Sequence, residues 1–234
     1  MSSIDGPVVR IVASVPESID LNDVAKAELV RDGYDRIAED YLRLVSESPD
    51  SHPRRQRTAM LLAAIPAGSQ VLELGCGAGI PVAAEIIRDG HTYTGVDISE
   101  RQVELAMSHL PEGDFRVGNA LDQAFDAEAF DAVLALYVLT HIPREQWHTL
   151  LARIFRWLKP HGTLLLNVPH GDSPGWLEQD FLGFGGTNWT NAYGAQTTVG
   201  ILEAEGLRVV DATALADDDS SPNGWVWLTA VKRG

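Results

Sequence analysis

Three glycines at alternate positions, Gly75, Gly77 and Gly79, lie between a short apolar run and a helix start in the stretch QVLELGCGAGIP (70–81). Glycine lets a backbone turn tightly and approach a ligand closely, so the loop reads as a cradle for a nucleotide-like cofactor. Its neighbours decide which one. A dinucleotide loop takes G-x-G-x-x-G, and here Ile80 stands where the third glycine of that pattern belongs. Glu73 lies two residues before the first glycine. A pyrophosphate seeks amides and positive charge, so this carboxylate suits a cationic group instead, such as an α-amino group. Asp97 ends the next apolar run, at the distance from the loop where a carboxylate accepts ribose hydroxyls. Ribose without phosphate, joined to an amino acid, describes S-adenosylmethionine.

Proton chemistry points to histidine. His141 follows the fourth apolar run, and His170 and Asp172 follow the fifth. Both sites lie at the end of an open α/β sheet where ligands bind. His141 and His170 are therefore the candidate general bases, with Asp172 behind them. Cys76 has no base beside it in the loop and reads as a small turn residue, not a nucleophile. Aromatics gather in 171–196: Trp176, Phe181, Phe184, Trp189 and Tyr193. They are expected to wall an apolar acceptor site, two or three facing it and the others packing the segment onto the N-terminal cap. Phe181 and Phe184 flank glycines, the composition of a lid.

The elements that must hold these residues alternate in period. Apolar positions at Tyr34, Ile37, Ala38, Tyr41, Leu42 and Val45 give one face of a helix over 22–46. A second helix is expected over 54–66, with its basic start HPRRQR (52–57) reading as a solvated face. Strands follow at 71–74, 92–98, 114–120, 130–139 and 163–169, separated by helices at 81–88, after Ser99 and at 143–158. Ser99 with Gln102 three residues on makes a capping-box pattern. Such alternation builds a parallel sheet covered on both faces. After Pro169 the rhythm breaks into a long irregular connection, then a helix over 197–207 and two final strands joined by the acidic loop ADDDSSPNG.

VLELGCGAG, GVDIS, VGNA, FDAVLALYVLTHIP and LKPHGTLLL together resemble the ordered motifs of class I S-adenosylmethionine-dependent methyltransferases, and YDRIAEDY resembles the cap helix of their small-molecule members. The resemblance implies a Rossmann-like, doubly wound, mostly parallel seven-stranded sheet with an antiparallel last strand and an N-terminal helical cap. It divides the chain into an arm and cap (1–66) and a methyltransferase core (67–234) carrying an insertion at 171–196. It implies that Gly75 and Gly77 admit the methionyl part, that Glu73 steers its amino group and that Leu136 offers that group a carbonyl. Asp97 would bind the ribose, and Ile98 the adenine face. Asn119 and Ala120 would meet the adenine edge, with Asn119 replacing the aspartate common there. Tyr34 would close the pocket. The implied reaction is in-line methyl transfer to oxygen or nitrogen of a small molecule such as a specialised metabolite. An NAD-dependent oxidoreductase and a non-catalytic S-adenosylmethionine-binding protein are the other readings.

Composition narrows the partners. The net charge is −15 and the pI about 4.7. Acidic chains repel phosphate backbones, which are bound mostly by electrostatics, so no nucleic-acid partner is expected. No apolar run reaches the length of a membrane span, and VVRIVASV lacks the flanks of a signal peptide. The single cysteine excludes an internal disulfide and a multi-cysteine zinc site, so no metal is expected and a reducing cytoplasm is. The remaining expectation is a monomer or homodimer acting on a small-molecule acceptor.

Overall fold

In the computed structural model, residues 21–215 and 224–234 are described. The expected N-terminal arm and most of the acidic loop ADDDSSPNG lie outside them. Two helices lead the chain: α1 (Asp23–Ser46), whose first turn is capped by the Asn22 side chain, and α2 (Pro53–Ala64). The alternating part follows as β1 (Gln70–Leu74), α3 (Val82–Arg88), β2 (Thr92–Asp97), α4 (Glu100–His109), β3 (Asp114–Val117), β4 (Phe130–Ala135), α5 (Trp147–Trp157) and β5 (Leu158–Pro169). Then come β6 (Ser173–Phe181), β7 (Gly186–Ala192), α6 (Ala195–Ala204), β8 (Leu207–Leu215) and β9 (Trp225–Lys232).

Seven strands form one sheet in the order β3-β2-β1-β4-β5-β9-β8. The pairs from β3 to β5 are parallel, and β9 runs antiparallel to both its neighbours. This is the Rossmann-like sheet with an antiparallel last strand. Because side chains alternate across a strand, each face has its own core. Leu72 and Leu74 of β1 point toward Trp147, Leu151 and Ile154 of α5 and Leu202 of α6. Val71 points to the other face, with Leu61 of α2, Ile86 of α3 and Val103 of α4. Each fully buried Leu or Ile contributes about 1.5–3 kcal/mol. The strand order also reverses between β1 and β4, opening a crevice at the carboxyl ends of the strands.

Four local readings need correction. The fourth strand stops at Ala135 instead of continuing to Leu139. Tyr137 takes a left-handed backbone (φ 61°), its N–H donates to Asn167 Oδ1 (2.7 Å), and Leu139–His141 forms a 3₁₀ turn. The apolar run goes on because Leu136 and Leu139 are buried in the turn itself.

The segment after Pro169 is not irregular. β6 and β7 pair as an antiparallel hairpin whose turn uses positive φ at Leu182, Gly183 and Gly185. It packs on α1, where Gly33 permits the approach: a Cβ there would meet the Thr187 carbonyl at 2.7 Å.

The basic cluster is not a solvated face. Arg57 is buried and pairs with Asp211 (2.6 Å), Arg55 pairs with Glu85 (2.6 Å), and Arg54 turns inward. Finally, the capping box at α4 is half formed. Ser99 Oγ accepts from Gln102 N (3.1 Å), but the Gln102 amide does not return the bond.

Candidate active site

The crevice holds two large cavities. One, of about 560 Å³, is lined by Gly75, Gly77, Asp97, Ile98, Gln102, Asn119, Ala120 and Leu136. The other, of about 500 Å³, lies between α1, α2 and the β6–β7 hairpin and is lined by Arg54, Ser173, Trp176, Glu178, Phe181 and Trp225, among others. Tyr34, Tyr41, Tyr137 and His141 line both and form their common wall.

The glycine loop is set by β2. Gly75 N and Cys76 N donate to the Val96 carbonyl (2.7 and 3.1 Å). Asp97 continues the tie: Oδ2 accepts from Gly77 N (2.8 Å) and Oδ1 from Ser99 N (2.9 Å). Burial pushes the Asp97 carboxyl up to about 6, against the Ser99 and Gly77 N–H groups, which pull it down. The cap helix is fastened to the same corner, because Ser99 Oγ donates to Asp35 Oδ1 of α1 (2.6 Å). Asn119 Oδ1 is occupied by Leu121 N (3.0 Å), which leaves its N–H₂ end as the donor.

Glu73 sits elsewhere than the large cavities. It shares the face of Val71, where Tyr93 Oη donates to its Oε2 (2.6 Å), and it lines a water-sized recess of about 30 Å³ behind the glycine loop. Arg54 faces the same recess. Burial pushes Glu73 up to about 8, although Tyr93 and Arg54 pull in the other direction. Gly75, Gly77, Tyr41 and Leu136 line both this recess and the 560 Å³ cavity.

Of the two candidate bases, the structure brings only His141 to the cavities. His170 is exposed and lines neither. Asp172 accepts from Gly194 N (2.7 Å) and Thr197 Oγ1 (3.0 Å), so it secures the start of α6. Of the five aromatics expected at the acceptor, Trp176 and Phe181 line the second cavity. Trp189 is buried against Gly175, with Lys26 of α1 over its ring. Tyr193 packs edge-on against Trp147 (5.4 Å), and Phe184 stands at the hairpin turn, lining neither cavity.

Four residues were missed. Gln102 is fully buried, lines the 560 Å³ cavity, and has no hydrogen-bond partner at Nε2 or Oε1. An unpaired buried amide is costly, so this one has the chemistry of a ligand contact. Arg54 is stacked over Tyr137 (4.6 Å) and donates to Tyr41 Oη (3.1 Å), with its Nε unpartnered. Tyr137 and Glu178 complete the set. Gln102 left a trace in the sequence as the second member of a capping box and Arg54 as part of the basic cluster; Tyr137 and Glu178 meet the site through the packing of distant elements.

These residues fit S-adenosylmethionine. The cavity has an acid at a strand end, a glycine loop that admits close approach and an unsatisfied amide in its wall. The water-sized recess beside it is lined by an acid and a guanidinium, charges that suit an amino group and a carboxylate at the neighbouring edge of the cavity.

Comparison with known proteins agrees. A family described as a methyltransferase domain matches residues 71–162. The 27-O-demethylrifamycin SV methyltransferase of Amycolatopsis mediterranei is 35% identical over 124 residues, 49% of this chain and 44% of that protein. This chain thus matches less than half of that relative. The demethylmenaquinone methyltransferase of Listeria welshimeri is 30% identical over 163 residues, 65% of this chain and 68% of that protein. Among solved structures, the Burkholderia thailandensis 1,6-didemethyltoxoflavin-N1-methyltransferase, with bound 1,6-didemethyltoxoflavin and S-adenosylhomocysteine, superposes with a TM-score of 0.72 at 20% identity, covering 99% of this chain and 94% of that one. On fold, site and sequence, the chain belongs to the class I S-adenosylmethionine-dependent methyltransferases.

Proposed function

We propose that the protein methylates an oxygen or nitrogen atom of a small organic molecule seated in the 500 Å³ cavity. One observation carries this reading: two cavities of similar size share a wall made of Tyr34, Tyr41, Tyr137 and His141. A donor chamber and an acceptor chamber must meet in this way for in-line transfer. The names of the two curated relatives, a 27-O-demethylrifamycin SV and a demethylmenaquinone methyltransferase, support a small organic acceptor.

Asp97 holds the ribose, Gln102 adds an amide contact, and Ile98, Asn119 and Ala120 frame the adenine. Gly75 and Gly77 admit the methionyl part, with Glu73 and Leu136 toward its amino group and Arg54 toward its carboxylate. When bound, the cofactor supplies an electrophilic sulfonium methyl group: the bond to the acceptor atom forms as the sulfur–methyl bond breaks, with the electron pair staying on sulfur. The chain does the rest. Helices α1 and α2 act as the cap, and the insertion at 171–196 closes the acceptor side. Trp176, Phe181 and Trp225 exclude water and hold the acceptor against the shared wall.

The test is transfer of labelled methyl from S-adenosylmethionine to a panel of phenols, hydroquinones and N–H heterocycles. At least one is expected to be methylated. Tight cofactor binding with no acceptor turned over would favour the non-catalytic reading, and quenching of NADH fluorescence would favour the oxidoreductase.

Glu73 makes a second expectation. With its carboxyl held near 8, the empty protein carries it mostly protonated at neutral pH. A cationic amino group favours the ionised form, so cofactor binding releases a proton at pH 7, and affinity rises as pH is raised toward 8. Calorimetry in two buffers of different ionisation enthalpy measures this release. In Glu73→Gln it is expected to fall to the small part that Asp97 contributes at pH 7, and a release unchanged by that substitution would refute the role.

A further inference from the structure

We propose that Tyr34 is the group that takes the acceptor's proton, with His141 behind it as the terminal proton store, so that the acceptor is of the class carrying an ionisable O–H or N–H. This rests on the methyl-transfer reading above.

The hydrogen bonds determine the direction of the relay. His141 Nδ1 lies 3.0 Å from the Trp189 carbonyl oxygen. A carbonyl only accepts, so Nδ1 carries the proton. Nε2 of the neutral ring is then an acceptor, and Tyr34 Oη, 3.0 Å away, donates to it. Both nitrogens are therefore engaged, and His141 has no lone pair to offer an acceptor directly. Tyr34 Oη keeps its own lone pairs while donating, and Tyr34 stands in the wall between the two cavities.

Packing holds this pair in place. Phe181 meets both rings edge-on, at 5.4 Å from Tyr34 and 6.0 Å from His141. Asn191 brackets the turn that carries His141. Its Nδ2 donates to the Thr140 and Ile142 carbonyls (2.9 and 2.8 Å), and its Oδ1 accepts from Arg144 N (2.9 Å). The other groups acting on Tyr34 are Tyr41, packed edge-on at 5.6 Å, and the charges of Asp97, Arg54 and Glu178. Burial raises the Tyr34 hydroxyl and lowers the His141 imidazole, so the resting pair is neutral.

The step balances. The acceptor's proton passes to Tyr34 Oη as the Tyr34 proton passes to His141 Nε2, while the acceptor atom gains the methyl group. Tyr34 ends as it began. His141 becomes an imidazolium as the sulfonium charge is neutralised, so the site carries one positive charge before and after. Its burial therefore opposes the proton transfer less than it would oppose creating a new charge. After product leaves, His141 returns its proton through Tyr34 to water.

The test compares wild type, Tyr34→Phe, His141→Gln and Glu178→Gln. Nitrogen-15 NMR of the imidazoles reads the resting state without turnover. The wild type is expected to show His141 neutral at pH 7, protonated at Nδ1, with the Nε2 resonance moving in Tyr34→Phe. An Nε2–H tautomer overturns the relay.

Labelled transfer to a series of phenols, from phenol to 4-nitrophenol, reads the chemistry. Tyr34→Phe is expected to lower kcat about 100-fold on the weakly acidic phenols, with KM nearly unchanged. The loss should shrink as pH rises through each phenol's own pKa, since an ionised acceptor needs no base. An equal loss at all pH values overturns the proposal. So does a tenfold weaker S-adenosylmethionine affinity with kcat intact, which would make Tyr34 a cofactor lid only. A large, pH-dependent loss in Glu178→Gln without one in Tyr34→Phe assigns the base to Glu178 and also overturns it. Absence of transfer by the wild type to every acceptor overturns the acceptor reading itself, a failure that the NMR result separates from failure of the relay.

Discussion

Asp97→Ala is expected to weaken S-adenosylmethionine binding by about 100-fold or more in calorimetry. The carboxylate has two tasks. It ties the glycine loop to α4 through Gly77 N and Ser99 N, and in the proposed complex it accepts the ribose hydroxyls. Hydrogen bonds to a charged group contribute about 1.5–3 kcal/mol each, so losing two amounts to roughly 3–6 kcal/mol, or two to four decades. Asp97→Asn keeps one acceptor oxygen for Gly77 N and should lie between the two.

The pH dependence has a definite sign. The carboxylate is the form that binds, and burial holds the Asp97 carboxyl at about 6 in the empty protein. Through this group affinity should rise as pH is raised through 6, and its contribution should level off above that, where the further rise toward pH 8 belongs to Glu73. Stability of the empty protein should move in the opposite direction. The folded state binds the proton more tightly than the unfolded chain, so this group's contribution falls between the ordinary carboxyl range and pH 6. Thermal melts with and without S-adenosylmethionine across that window read both effects, as a ligand-induced shift that grows with pH. A shift independent of pH, together with unchanged affinity in Asp97→Ala, would remove the ribose assignment.

Gly75→Ala should damage the fold itself. Gly75 has φ +71°, and a Cβ there would overlap Cγ2 of Val138. Left-handed backbone costs about 1–2 kcal/mol for a residue with a Cβ, and overpacking adds about 1–3. The expected loss is about 2–5 kcal/mol by chemical denaturation. A second substitution, Val138→Ala, removes the overlap and should return the packing part while leaving the backbone strain. Full recovery in the double variant would show that the φ of Gly75 carries no cost. A loss below about 1 kcal/mol in the single variant would contradict the loop geometry. Val138 also receives the hydrogen bond from His141 N (2.9 Å), so the single variant should perturb the His141 turn together with the cofactor loop.

The parts of the molecule that were readable in the chain are those governed by local rules. Short, nearly continuous apolar runs, separated by helical stretches, mark a parallel sheet with helices on both faces, and β1 to β5 follow them. Ser99 announced the start of α4, and the glycine loop with Asp97 named the cofactor. The misreadings also have local causes. Leu136 and Leu139 are as apolar as strand residues, so nothing nearby signals that Tyr137 turns the chain. Glycine, asparagine and threonine hid the β6–β7 hairpin because its burial comes from α1 lying on β7, not from its own pattern. Arg54, Arg55 and Arg57 look like a solvated cluster until each meets its partner from another element.

The acceptor side depends on contacts that no local pattern encodes. Tyr34 meets His141 across 107 positions of the chain, and His141 meets the Trp189 carbonyl across 48. Alternation along β1 puts Glu73 on the face opposite Leu72 and Leu74, but only the packing of α2 sets Arg54 beside it. The sequence by itself determined the donor: a short loop and two acids hold their geometry within one strand–helix–strand unit, where spacing and backbone freedom are enough. Tertiary structure alone decided which histidine reaches the cavities, which aromatics line the second one and which merely pack. Those outcomes follow from how α1 and the hairpin close over the end of the sheet, a balance of burial among residues far apart in the chain.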